Sequence, residues 1–219
     1  MNVKLVEKIS LTVGAVLALS TASIAQDQGA KLSPIVPDPN ILKRTPIIDG
    51  TVTPGEWDLF QNFTQGDWQV ATYANWDSGN LYFAVTSNKP IDTMVLLDGN
   101  DDGWFHGEDN YEIRAIRQPD STLQKQVLRY ESRNVSTITP LSVTETELNY
   151  VEMKSATVDG ITNIEIKIPD YLVRDLKLTD GKKLAIQVAV RQQTDENSWI
   201  PNTVSADRKE CVKSSLVTR

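Results

Sequence analysis

Hydrophobic and polar positions alternate along most of this 219-residue chain. "WQVATYANWD" runs in period two into the turn Ser78-Gly79-Asn80, and "LYFAVTS" follows with aromatic and β-branched residues. "TMVLLD" and "NYEIRAI" flank an acidic stretch, and "KQVLRYES", "ELNYVEMKSATVDG", "TNIEIKI" and "KLAIQVAVRQQ" continue in the same style. Successive side chains of a strand point to opposite faces, so period two marks a strand with one face against a core. Gly, Asn, Asp and Pro punctuate the runs where turns are needed. The pattern predicts an all-β domain, an antiparallel β-sandwich with one short helix. That helix is expected at "PDYLVRDLKL", where Pro169 suits a helix start and Gly181 follows the end.

The first residues break the pattern. "MNVKLVEKISLTVGAVLALSTASIAQ" has two early lysines, an apolar run from about Ile9 to Leu19, and small residues ending in Ser23-Ile24-Ala25. This is the layout of a secretory signal peptide, residues 1–25. The run falls short of the roughly 20 apolar residues of a membrane span, and no later stretch is longer. A secreted or periplasmic protein without a membrane span is expected. Residues 26–45, with "SPIVPDPN" inside, predict an extended leader or linker, because proline restricts itself and its predecessor. One folded domain is expected from Pro46 to Arg219, with no second domain.

Removing the signal segment takes the formal charge from −7 to −8. Such a chain repels nucleic acid and anionic lipid surfaces, so neither is expected as a partner. Cys211 is the only cysteine, which excludes an internal disulfide. It reads as a small residue of the last strand rather than an activated thiol.

Four stretches, in order, carry a resemblance. They are "PIIDGTVTPGEW" (46–57), "YANWDSGNLYFAVTS" (73–87), "EDNYEIRA" (108–115) and "NSWIP" (197–201). Together they resemble the family 9 carbohydrate-binding modules and their DOMON-like relatives. The resemblance implies an immunoglobulin-like β-sandwich over 46–219 and a sugar site in which two tryptophans clamp a ring. The matching positions are Trp104 and Trp199, with Glu112 as an acidic sugar contact and Arg129 in "VLRYE" as a basic one. Trp104 stands five residues before Asp109, a longer spacing than the family's. The residue types suit the chemistry. A pyranose has an apolar C–H face that stacks on indole, and its hydroxyls take charge-assisted hydrogen bonds. Trp57, by contrast, reads as a core plug, and Trp68 and Trp76 as packing residues in strands.

The acidic stretch "LLDGNDDGWFHGEDNYEIRA" spans Leu96 to Ala115. Asp98, Asn100, Asp102 and Gly103 form D-x-N-x-D-G, and Asp109 is the twelfth position of that loop. This is the oxygen spacing of a calcium loop, with Asp in place of the usual bidentate Glu and with strands as flanks. The expected ligands of Ca2+ are Asp98, Asn100, Asp102 and Asp109, with Asp101 and Glu108 competing for the same role. The competing reading is a solvated acidic turn. Calcium would relieve repulsion among the carboxylates and fix the loop that carries Trp104.

Catalysis finds little support. His106 is the only histidine, no G-x-S-x-G elbow is present, and one His with one distant Cys makes a poor zinc set. The expectation is a non-catalytic carbohydrate-binding module. The alternatives are a calcium-stiffened structural or adhesion module, and a haem-binding DOMON-type module using His106 with Met94 or Met153.

Overall fold

The computed structural model describes residues 40–101, 107–120, 122–130, 141–142, 144–194, 199–200 and 212–218. The period-two runs form strands close to where they are expected. In chain order the strands are β1 (Asn40–Lys43), β2 (Leu59–Gln65), β3 (Trp68–Trp76), β4 (Asn80–Ser87), β5 (Ile91–Asp98) and β6 (Gly107–Arg117). They continue with β7 (Leu123–Tyr130), β8 (Leu141–Ser142), β9 (Glu152–Val158), β10 (Ile161–Pro169), β11 (Lys183–Gln192) and β12 (Val212–Val217). Their order across the sheet is β8-β7-β6-β5-β11-β12-β1-β3-β4-β10-β9, with β2 on β3.

The sheet folds on itself into a sandwich. One layer holds β5 to β8, β11 and β12, and the other holds β2 to β4, β9 and β10. Val95, Leu97, Ile113 and Val188 of the first layer share one buried cluster with Phe83, Val85, Ile164 and Ile166 of the second. Burial of each such side chain contributes about 1.5–3 kcal/mol. Trp68 and Trp76 lie in this core, each 2% exposed, as strand alternation suggests.

β1 joins the layers. It pairs in parallel with β12 through Asn40–Ser215 and with β3 through Leu42–Asn75. Residues 40–43 belong to the stretch expected to be a leader. The stretch is extended there, but it is hydrogen-bonded into the sandwich, and Ile41 is buried. Three prolines predict extension well and pairing poorly, because pairing depends on distant partners.

The helix expected over Pro169–Leu178 does not form. Pro169 ends β10, Asp170–Leu172 make one 3-10 turn, and Asp175 takes φ +61°. The apolar spacing that imitates a helix serves a plug instead, since Leu172, Val173, Leu176 and Leu178 are buried in the core. Among the described residues the α-helix is α1 (Glu145–Tyr150), inside a stretch that reads as a strand. Its signal is the capping box Thr144-x-x-Glu147: the Thr144 side chain accepts from Glu147 N–H, and the Glu147 carboxylate accepts from Thr144 N–H.

Candidate functional site

The outer face of the first layer is set by strand register. Met94 lies opposite Arg114 and Ala189, and Leu96 opposite Glu112 and Gln187. These side chains point away from the core. Met94, Leu96, Tyr130 and Ala189 form a small apolar cluster on this face, and Trp199 packs against it, half-buried.

Glu112 sits on this face, 5% exposed. Its carboxylate accepts hydrogen bonds from Arg114 Nε and from the Tyr130 hydroxyl, the latter at 2.6 Å. Burial first, and the Glu112 carboxylate second, push the Tyr130 hydroxyl well above its ordinary range, so it stays a donor. Trp199 has its own support. The Arg191 guanidinium lies 4.9 Å from its ring centroid, a cation–π contact. Asp92, 3% exposed and directly opposite Arg191, accepts from Arg191 Nε and Nη2 at 2.8 Å each. Asp92 also accepts Arg117 N–H at 2.9 Å, so the buried carboxylate is held on both sides.

The structure therefore brings Trp199 and Glu112 to one face. It does not bring Arg129 there. Tyr111 pairs with Arg129 while Glu112 pairs with Leu128, so Arg129 points inward. There it bonds the Tyr111 hydroxyl and lies 3.6 Å from Glu147 of α1. Among the described residues, the guanidinium groups held beside Glu112 and Trp199 are those of Arg114 and Arg191. Sequence reasoning missed both, although parity along "NYEIRAI" and "QVAVRQQ" already puts Arg114 in step with Glu112. Trp104 lies outside the described residues.

The acidic stretch opens on Asp98, at the end of β5. Asp98 is fully buried, and its Oδ1 accepts the N–H groups of Asn100 and Asp101 at 3.1 and 2.9 Å. Asp101 takes φ +56°, which Asp tolerates better than most residues. Gly99 N–H donates to the Asp109 carbonyl at 3.0 Å, tying the two ends of the loop together. Asn110 lies directly opposite Asp98 and is fully buried, and its Oδ1 meets no donor among the described residues. Asp102 and His106 lie outside the described residues. Among the described residues, no group of three or more His, Cys, Asp or Glu is placed to hold a metal ion. The methionines considered for haem are apart: Met94 belongs to the Trp199 cluster and Met153 packs on the main core.

The outer face of the second layer is built differently. The 48–57 loop crosses half of it, and Trp57 packs on Tyr82 and Ala84 with Ile48, Val52 and Tyr73 around them. Trp57 is thus the plug expected of it, but outside the central core. Glu165, fully buried, accepts the N–H groups of Asp49 and Gly50 at 2.9 and 2.6 Å. Gly50 takes φ +100°, and a Cβ there would meet the Ser155 backbone at 3.3 Å, so the Asp-Gly turn needs its glycine. Burial raises the pKa of Glu165, against the lowering effect of its two backbone donors.

Comparisons show the same architecture in known proteins. A family 9 carbohydrate-binding module from Caldicellulosiruptor kristjanssonii in complex with glucose superposes with a TM-score of 0.57 at 13% identity, covering 82% of this chain and 95% of that one. A family 9 module from the same organism in complex with cellotriose gives 0.50 at 14% identity, over 71% of this chain and 76% of that one. No family model and no curated protein matches the sequence. At this identity the likeness establishes the fold, which is that of family 9 modules.

Proposed function

On that fold, we propose that the chain is a non-catalytic carbohydrate-binding module whose sugar site is the outer face of the first layer. The observation that carries this reading is the placement of half-buried Trp199 beside the Met94–Leu96–Tyr130 cluster, with Glu112 on the same face. An indole next to a buried carboxylate and two guanidinium groups gives a sugar both kinds of contact it needs. The indole and the cluster receive the C–H face, and the charged groups meet the hydroxyls. Trp199 would stack on the ring, Trp104 would complete the clamp, and Glu112 would contact hydroxyls. Arg114 and Arg191 take the cationic role on this face, and Arg129 supports α1 from inside. Modules bound to glucose and to cellotriose share the fold, which supports a neutral saccharide as ligand.

Calcium fits the acidic loop. The buried Oδ1 of Asn110 meets no donor among the described residues and lies opposite fully buried Asp98, and a hard cation would satisfy it. Asp98, Asn100, Asp102 and Asp109 would hold it, with Asn110 added. Its role would be to order the loop between β5 and β6. Export through a signal peptide, and a secreted or periplasmic location, complete the proposal.

The test is binding of the mature chain to a broad glycan array, in calcium and in chelator. The reading expects binding to one glycan class, lost in Trp199→Ala and in Trp104→Ala and weakened by chelation. Absence of binding to any glycan, with calcium still raising the melting temperature, would sink the sugar site and leave a calcium-stiffened structural module.

A further inference from the structure

The 48–57 loop covers only half of the second layer's outer face. The other half is a groove of about 430 Å³ between β2, β3, β4 and the start of β10. That volume lies within the roughly 300–1,000 Å³ typical of small-ligand sites. Register explains its shape. Asn62 of β2 lies opposite Ala71 of β3, and Ala71 opposite Thr86 of β4. Next in line, Asn163 of β10 faces Thr86 and accepts Val52 N–H at 3.3 Å, which marks the edge of the covering loop. The small side chain of Ala71 leaves the floor low.

The lining has a distinct chemistry. Asn62, Thr64, Gln69 and Thr86 line the groove, and none of these four side chains hydrogen-bonds to another described residue. Ile161, 39% exposed, forms an apolar wall. Among the described residues, no charged side chain lines the groove. Two amides and two hydroxyls offer donors and acceptors together, without the desolvation cost of an ion. An apolar ligand would leave these groups unpaired, and an anion or cation would find no counter-charge. A neutral polyhydroxylated ligand matches the set, with its C–H groups against Ile161.

We infer that this groove is a second saccharide-binding site, on the face of the sandwich opposite Trp199. The ligand class rests on the carbohydrate reading above, whereas the groove and its free amides stand independently. Two sites on opposite faces cannot compete for one short glycan segment. A single module would therefore bridge two glycan chains, which gives it a cross-linking role.

The test is a titration of the ¹⁵N-labelled mature chain with cellotriose, maltotriose, mannotriose and chitotriose, each alone, followed by heteronuclear NMR. The side-chain amides of Asn62 and Gln69 report the groove, and the Trp199 indole N–H reports the first face. Both sets should shift with at least one trisaccharide, at two ligands per chain. Ala71→Tyr, which fills the groove floor, should weaken the Asn62 and Gln69 response at least tenfold and leave the Trp199 response unchanged. Shifts at Trp199 alone would overturn the groove and keep the first site. Shifts at Asn62 and Gln69 alone would support the groove and sink the first site. No response to any of the four sugars would overturn the groove site.

Discussion

Each outer face of the sandwich buries one glutamate, and the two are held in opposite ways. Glu112 is neutralised within its own sheet, by Arg114 two residues along and by Tyr130 of the neighbouring strand. Glu165 takes its hydrogen bonds from a loop, through the backbone N–H groups of Asp49 and Gly50. A carboxylate satisfied by its own strands needs no crossing loop to donate to it. A carboxylate satisfied by a crossing loop holds that loop down and closes the face above it. The difference sets Trp199, half-buried and supported by side chains of its own layer, against Trp57, which anchors the crossing 48–57 loop.

The comparison breaks most severely at Trp57. This side chain, 7% exposed, is the apolar anchor of the loop on Tyr82 and Ala84. Trp57→Ala should cost about 3–5 kcal/mol in denaturant unfolding, the range for truncating a buried aromatic. Sugar binding at the Trp199 face should persist in whatever fraction remains folded. A cost near that of a surface substitution would show that Glu165 and Asn163 hold the loop without an apolar anchor.

Next in size is Glu112→Ala. It would leave Arg114 and the Tyr130 hydroxyl without their acceptor on a face where Tyr130 is 8% exposed. Breaking a fully buried pair costs about 3–5 kcal/mol. The Arg114 side chain is 32% exposed and recovers part of that from water, so about 1–3 kcal/mol is expected here. Tyr130→Phe removes one bond to a charged group and should cost about 1.5–3 kcal/mol at most. Equilibrium unfolding reads both effects, and loss of glycan binding in both would tie the in-sheet neutralisation to the site.

How far the sequence reveals this comparison depends on the range of the interaction. Period two placed β3 to β7 and β9 to β11, because alternation is a local consequence of one buried face. It failed at α1, where Leu148-Asn149-Tyr150 alternate by chance and the Thr144–Glu147 box carried the true signal. It also failed at 169–178, where a plug buries leucines at helical spacing. That Trp199 and Glu112 lie on one face was suggested by the ordered motifs alone. The inward turn of Arg129 was not, because it follows from the pairing of β7 with β6, Tyr111 opposite Arg129, which no local pattern announces. The Asp92–Arg191 support for Trp199 spans 99 residues of sequence and has no local signature.

Glu165 sharpens the comparison through pH. Its pKa is raised, chiefly by burial, above an ordinary value of 4.5. The folded state then holds its proton more tightly than the unfolded state does. This contribution is therefore fully present below about pH 4.5 and is lost as pH rises through the raised pKa. Glu165→Gln removes that dependence and keeps an oxygen for the Asp49 and Gly50 donors. Its stability relative to the native chain should rise from pH 4.5 toward neutrality. A difference independent of pH, in unfolding curves measured from pH 4 to 8, would show that Glu165 is charged at every pH and satisfied by the loop alone.

The smallest effect is expected at Glu147, and it tests the face assignment of Arg129. Glu147 lies 3.6 Å from Arg129 at a half-exposed position and also closes the α1 capping box. Hydrogen bonds from the Thr144 backbone and hydroxyl, with Arg129 adding least, hold its pKa below the ordinary range. Its contribution is thus present above its ordinary pKa and lost as pH falls, opposite in sign to Glu165. Glu147→Gln preserves the capping geometry, since Gln serves that box as well as Glu. What remains to lose is a partly exposed ion pair, under about 1 kcal/mol. Glycan affinity should not change, because the pair faces inward, away from Trp199 and Glu112. A clear loss of affinity in Glu147→Gln, with stability unaltered, would move Arg129 into the sugar site and make the interior edge of β7 part of the binding surface.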